Sequence, residues 1–242
     1  TPRRAALIAG IGYLALFVLG LYANFFVREG LVDPDNAAAT FANIADAEFL
    51  FRTGLISFLA IFILDVVIAW ALYVLFRGVS RDLSLLTAWF RLVYTVLLGV
   101  AVIFLFGVLQ LVDGPAWLSA FDAAQVDASA MLLLEAFNYA WLIGLAAFGI
   151  HLGLLGSLLL VSHRAPRALG VLLLVAGGAY VVDTVAYALL ANYSDYENAF
   201  LVMVAVPAVI AELWFTVWLL RSGGVAREEL AAARSPRTTA SV

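Results

Sequence analysis

Six stretches of this chain, residues 5–26, 51–76, 84–111, 129–161, 169–190 and 199–220, are each apolar and long enough to cross a bilayer, whose hydrocarbon core takes about 20 residues of helix. At membrane depth there is no water to satisfy backbone N–H and C=O groups, so a spanning chain forms helices or a closed barrel. No stretch alternates apolar and polar residues as a barrel requires. The expected fold is therefore all-α: a polytopic membrane bundle of six transmembrane helices in one domain, residues 1–221. The fourth run is overlong and is expected to project past the membrane on one side. The first begins "TPRRAALIAGIGYLALFVLG". Its Arg3-Arg4 start is signal-like, but its apolar run exceeds the 7–15 or so residues of a signal-peptide core, so a retained helix is expected. Residues 222–242, "SGGVAREELAAARSPRTTASV", read as a polar, disordered tail.

All 13 basic residues are arginine, and their placement sets the orientation. With the N-terminus cytoplasmic, Arg3, Arg4, Arg77, Arg81, Arg164, Arg167, Arg221, Arg227, Arg234 and Arg237 fall on that side. Only Arg28 and Arg52 fall on the other, with Arg91 inside the third span. Cytoplasmic loops carry the Arg excess, so both termini are expected inside a bacterial cytoplasmic (inner) membrane. Membrane lipids are then the first partners. A net charge of −4 leaves no basic footprint for nucleic acid. The absence of cysteine excludes disulfides and thiolate metal sites.

Two longer connections are acidic. Residues 27–48 open with turn chemistry at Asp33-Pro34 and continue as a short helix with Phe41, Ile44 and Glu48 at helical spacing. Residues 112–128 hold a Gly-Pro turn and then Asp122 with Gln125 three residues on, the pattern of a helix N-cap. Trp117 is placed to sit at an interface. Tidy helix starts explain these features better than a binding lid does.

The functional signal is polar. A charged group at membrane depth costs about 2.5–3.5 kcal/mol on insertion scales, and such groups normally face a protein interior or a water-filled cavity. This chain places Asp65, Arg91, His151, Asp183 and Glu212 well inside five different spans, with Glu135 nearer an end. Counting from the cytoplasmic helix ends at 1.5 Å per residue gives depths of about 16, 10, 15, 21 and 12 Å in that order. The expectation is one buried ionisable layer just cytoplasmic of the midplane, with an Arg91 salt bridge to Asp65 or Glu212. Tyr94 shares a face with Arg91, Tyr180 and Tyr187 share one with Asp183, and Thr216 follows Glu212 by one turn. Pro207 is placed to kink the last span next to that carboxylate. Gly149 and Gly153 flank His151 as a small-xxx-small pair, read as a packing device.

Several chemistries fail on residue count. A bis-histidine haem needs two histidines at depth, and His163 lies in a turn; a three-histidine zinc site needs more than the two present. The absence of lysine rules out a retinal Schiff base. A mixed metal site from His151 with Asp65, Asp183 and Glu212 is chemically allowed, but no ligand spacing points to it, and no cofactor or metal is expected.

The stretches "NFFVREGLV", "LFRTGL", "LDVVIAWALYVLF", "WFRLVYT", "FGIHLGLLG", "PRALGVLLLVAGGAYVVDT" and "PAVIAELWFTVWLL" together cover nearly the whole chain to Leu220. Through them the sequence resembles the uncharacterised bacterial membrane proteins grouped as domain-of-unknown-function family 4386. The resemblance implies polar residues at Asp65, Arg91, His151, Asp183 and Glu212, and often a second histidine where this chain has Asn138. That departure removes the second ring from any two-histidine mechanism.

Three functions fit. The first is binding or transport of a small molecule or ion at the polar layer, with proton coupling as one form of it. Asp65, Asp183 and Glu212 then supply acceptors, Arg91 sets the field, and His151 switches charge near neutral pH. Tyr94, Asn138, Tyr180 and Tyr187 are its supporting polar groups. The second is a membrane-embedded enzyme acting on a lipid or lipophilic substrate with a His/carboxylate acid–base pair. The third is an accessory or structural subunit whose polar layer only locks the bundle.

Overall fold

The computed structural model describes residues 1–221 and 223, so the expected tail lies outside the described residues except at Gly223. Each long apolar run is helical, and no strand occurs among the described residues. Helix α1 (Pro2–Leu21) continues through a π-helical segment, Tyr22–Arg28, into a last turn, Glu29–Leu31. Helix α2 (Ala37–Asp46) is short and starts at Asn36, whose side chain accepts the Ala39 N–H. It ends before Glu48, which instead opens α3 (Glu48–Phe76). Helices α4 (Arg81–Val112), α5 (Ala123–Ser162), α6 (Arg167–Leu189) and α7 (Glu197–Arg221) complete the chain. Six of the seven, all but α2, are long and apolar enough to cross a membrane, and the protein is a multi-pass membrane protein.

Local chemistry sets the helix ends. Asp122 accepts the Gln125 N–H at 2.8 Å while the Gln125 side chain accepts the Asp122 N–H at 3.0 Å, a reciprocal cap that starts α5. Helix α5 stops where His163 turns left-handed at φ 51°, and Pro166 then precedes α6. Helix α7 runs without interruption through Pro207.

Each spanning helix packs on its neighbours in chain order, α1 on α3, then α4, α5, α6 and α7, and α7 returns to α1. The result is a closed ring whose thinnest seam joins the first helix to the last. At the end carrying the termini that seam is clamped. Arg3 donates to the carbonyls of Leu219 (2.9 Å), Leu220 (2.5 Å) and Gly223 (3.1 Å), the first two among the groups a helix C-terminus leaves without intrahelical donors. Gly10 lets Leu219 and Leu220 approach the α1 backbone there. Two apolar clusters fill the ring. One lies toward the termini around Phe76, Leu155 and Phe215, the other toward the far end around Ile44, Phe58 and Phe137.

The α5–α6 seam is the closest backbone approach. A Cβ on Gly156 would meet the Gly170 carbonyl oxygen at 2.5 Å, and one on Gly149 would meet that of Gly177 at 2.6 Å. Gly153 has open space at its own Cβ position, but its backbone N would lie 2.8 Å from a Cβ on Gly177. The glycines beside His151 therefore serve helix contact, as small residues do in membranes. Gly156→Leu is expected to lower stability by about 1–3 kcal/mol through overpacking against a backbone that cannot yield. Gly178→Ala, with nothing within 4 Å of the added carbon, is expected to change little. Thermal unfolding of the purified variants in detergent separates the two.

Candidate functional site

Between the two apolar clusters the ring closes on an arginine. Arg91 of α4 is 1% exposed, and so is its partner Asp65 of α3. Arg91 Nη2 donates to Asp65 Oδ1 at 2.5 Å. Arg91 Nη1 donates to the Tyr13 hydroxyl at 2.6 Å and lies 3.2 Å from His151 Nε2. The guanidinium carbon sits 4.7 Å from the Tyr13 ring centre and 5.5 Å from that of Phe148, close enough for cation–π attraction. Four helices, α1, α3, α4 and α5, thus converge on one side chain.

The hydrogen-bond partners fix the state of His151. Its Nδ1 is 2.8 Å from the Thr87 carbonyl, which only accepts, so that nitrogen carries the proton. Its Nε2 faces a guanidinium, which only donates, so that nitrogen offers its lone pair. The ring is neutral, 0% exposed, and stacked 5.7 Å from Phe148. It holds Arg91 in place from behind.

In front of the ion pair lies a cavity of ≈ 190 Å³. Asp65, Arg91, Tyr13, Tyr94, Trp141 and Glu212 are among its walls, and His151 is not. Asp65 Oδ2 and Arg91 Nε are buried without a hydrogen-bond partner among the described residues. Glu212 enters from α7, and its carboxylate forms no hydrogen bond or ion pair among the described residues. Its main chain is tied to Thr216, whose hydroxyl donates to the Glu212 carbonyl at 2.7 Å.

Asn24, Tyr180 and Glu212 also line a second space, of ≈ 440 Å³, between α1 and α7. Phe25, Leu201 and Val209 form exposed parts of its wall, so the ring opens sideways at the end of the seam that Arg3 does not clamp. A third space of ≈ 900 Å³ adjoins both through Trp141 and Leu145 and reaches the connection between α6 and α7 at the far end.

The sequence profile of a family described as Domain of unknown function (DUF4386) matches residues 8–223. The chain belongs to this family. An uncharacterized protein of the archaeon Archaeoglobus fulgidus is 31% identical over 170 residues, which is 70% of this chain and 83% of the relative. No solved structure matches the chain.

Within this DUF4386 chain the five sequence candidates separate by position. Asp65, Arg91 and His151 are in direct contact, and Glu212 shares their cavity. Asp183, the one counted deepest from its helix start, lies nearer the far end and accepts a hydrogen bond from Tyr193 at 2.6 Å. Loss of water around Tyr193, together with that carboxylate acceptor, holds the phenol above its ordinary range. Of the supporting groups, Tyr94 and Tyr180 wall the central cavity. Tyr187 packs between Tyr139, at a tilt, and Tyr193, edge to face, at the mouth. Asn138 accepts from Arg28 Nη1 at 2.5 Å and donates to Glu135 at 3.4 Å, well removed in bonding from His151.

Sequence reasoning missed Tyr13, Asn24, Arg28 and Trp141. Tyr13 carried a usable signal, a polar-tipped ring about 12 Å along the first span by helical rise. Asn24 and Arg28 did not: both line the second space, and the π segment that carries them has no Pro or Gly to mark it.

The central pair gives a test. Arg91→Leu leaves Asp65 buried without its partner and is expected to cost about 3–5 kcal/mol. The double variant Asp65→Leu/Arg91→Leu is expected to cost less than the two single changes added together. A double-mutant cycle on thermal unfolding in detergent measures the coupling.

Proposed function

We propose that this protein binds, and carries through the membrane, a small lipophilic molecule whose polar end sits at Asp65, Arg91 and Glu212. The observation that carries this reading is that Asp65, Arg91 and Glu212 line one intramembrane cavity, and that Asp65 Oδ2, Arg91 Nε and the Glu212 carboxylate have no hydrogen-bond partner among the described residues. A buried polar group left without a partner costs about 1–3 kcal/mol, a cost that a ligand or water in the cavity removes. A bundle that only locks itself together has no reason to keep three such groups beside an open volume. The exposed wall of the side opening between α1 and α7 carries the apolar side chains Phe25, Leu201 and Val209, which suits entry from the lipid phase.

The His/carboxylate acid–base alternative has less support, because both nitrogens of His151 are committed to Thr87 and Arg91. The same commitment argues against His151 as a charge switch and favours a positioning role. We place both termini on the cytoplasmic face of a cytoplasmic membrane, on the strength of the arginine asymmetry.

Gly20 lines the cavity and has nothing within 4 Å of an added Cβ, so Gly20→Trp puts an indole into the space without replacing any of its polar side chains. Native mass spectrometry of protein extracted with its surrounding lipid is expected to find a bound small molecule on the wild type and none on Gly20→Trp. The chain has no cysteine, so Leu145→Cys provides a single reporter on the cavity wall. The introduced thiol is expected to react with a lipophilic maleimide, and more slowly in the Gly20→Trp background. No bound molecule together with an unreactive Leu145→Cys variant would rule out the binding reading.

A further inference from the structure

The charges on the cavity walls say which class of molecule fits. Arg91 is already matched by Asp65, and its Nη groups are committed to Asp65, Tyr13 and His151. That leaves Glu212 as the uncompensated charge of the central cavity. The imbalance grows toward the opening: across the three adjoining spaces six carboxylates stand against two guanidinium groups. The second guanidinium, Arg28, is occupied by Asn24 and Asn138 and lies against the Phe137 and Trp141 rings.

Resting on the binding reading above, we propose that the ligands are lipophilic organic cations, with the Glu212 carboxylate as their counter-ion. Asp65 is the independent observation beside the acidic excess: its side chain is 1% exposed, the residue lines the same cavity, and its Oδ2 has no hydrogen-bond partner among the described residues. An ammonium or phosphonium group beside Glu212 meets one unmatched carboxylate, next to an Asp65–Arg91 pair that carries no net charge. Phe17, Tyr94, Trp141 and Tyr180 supply the aromatic surround that organic cations favour.

Other ligand charges fit less well. A bare metal cation asks for about six oxygen ligands, or three or four fixed nitrogen and oxygen donors, and no group of three or more His, Asp or Glu side chains able to hold a metal occurs among the described residues. An anion would find both Nη groups of Arg91 already engaged and would stand against Glu212. The combined space at Glu212 falls within the roughly 300–1,000 Å³ of drug-sized sites, the two parts it borders being ≈ 190 and ≈ 440 Å³.

Tetraphenylphosphonium and tetraphenylborate have nearly the same shape and opposite charge, so they separate charge from fit. The full chain in lipid nanodiscs is dialysed against each ion, with empty nanodiscs subtracted. The wild type is expected to bind the phosphonium saturably and at least about tenfold more tightly than the borate, the scale of one desolvated charge contact. Glu212→Gln is expected to abolish that preference, Glu212→Asp to keep part of it, and Gly20→Trp to remove binding of the phosphonium.

Equal or tighter borate binding, or unchanged phosphonium affinity in Glu212→Gln, overturns the cation assignment. The wild-type comparison decides even if a variant folds poorly. If neither ion binds, the cation assignment fails, while the binding reading stands or falls on the co-purified molecule and the maleimide reaction of Leu145→Cys.

Discussion

A guanidinium in the middle of an apolar ring is the constraint to which the rest of this structure answers. Leaving Arg91 in hydrocarbon without partners is not sustainable, and Asp65 alone does not use all of its donors. The Tyr13 hydroxyl and the His151 lone pair take Nη1, and the faces of Tyr13 and Phe148 take the cation's flank. Satisfying one side chain therefore fixes the facing sides of α1, α3, α4 and α5. The two apolar clusters lie on either side of this contact, toward the two ends of the ring.

This arrangement leaves the last helix with a different task. Helix α7 contributes nothing to the Arg91 hydrogen bonds, is the least buried of the six spans, and closes the ring against α1 and α6. Its one ionisable group at depth, Glu212, faces the centre without a hydrogen-bond partner among the described residues. A helix that adds a free carboxylate to an otherwise matched centre is poorly explained as scaffold. Its C-terminal turn is the part that Arg3 holds.

The fold class was legible because the bilayer leaves so few choices: six apolar runs of spanning length allow little but a helical bundle. The close contact of Asp65, Arg91 and His151 followed from counting helical rise, since all three lie at similar distances from the same end. The count placed Asp183 in the same layer, but at about 21 Å it was the outlier, and a few residues of depth are enough to hand a side chain to a different neighbour. Helical rise also carries no information about rotation. It did not reveal that His151 stands behind Arg91 while Glu212 stands in front, which separates a support from a wall of the cavity. The π segment was invisible for a related reason. "YANFFVR" is ordinary helix-compatible sequence, and the wider turn reflects packing against α3.

That wider turn bears on how the ring opens. A π segment inserts extra backbone per turn and often marks a functional position. Here it begins one residue after α1 ends at Leu21, and it brings Asn24 and Arg28 to the wall of the side opening. On the opposite wall, Pro207 lacks the N–H that would tie its turn of α7 to the carbonyl four residues back. Both helices of the seam thus depart from regular hydrogen bonding beside the opening, and both are regular where Arg3 joins them. The seam of α1 and α7 thus combines one clamped end with two irregular turns, whereas α3, α4 and α5, which hold most of the Arg91 contacts, are regular helices.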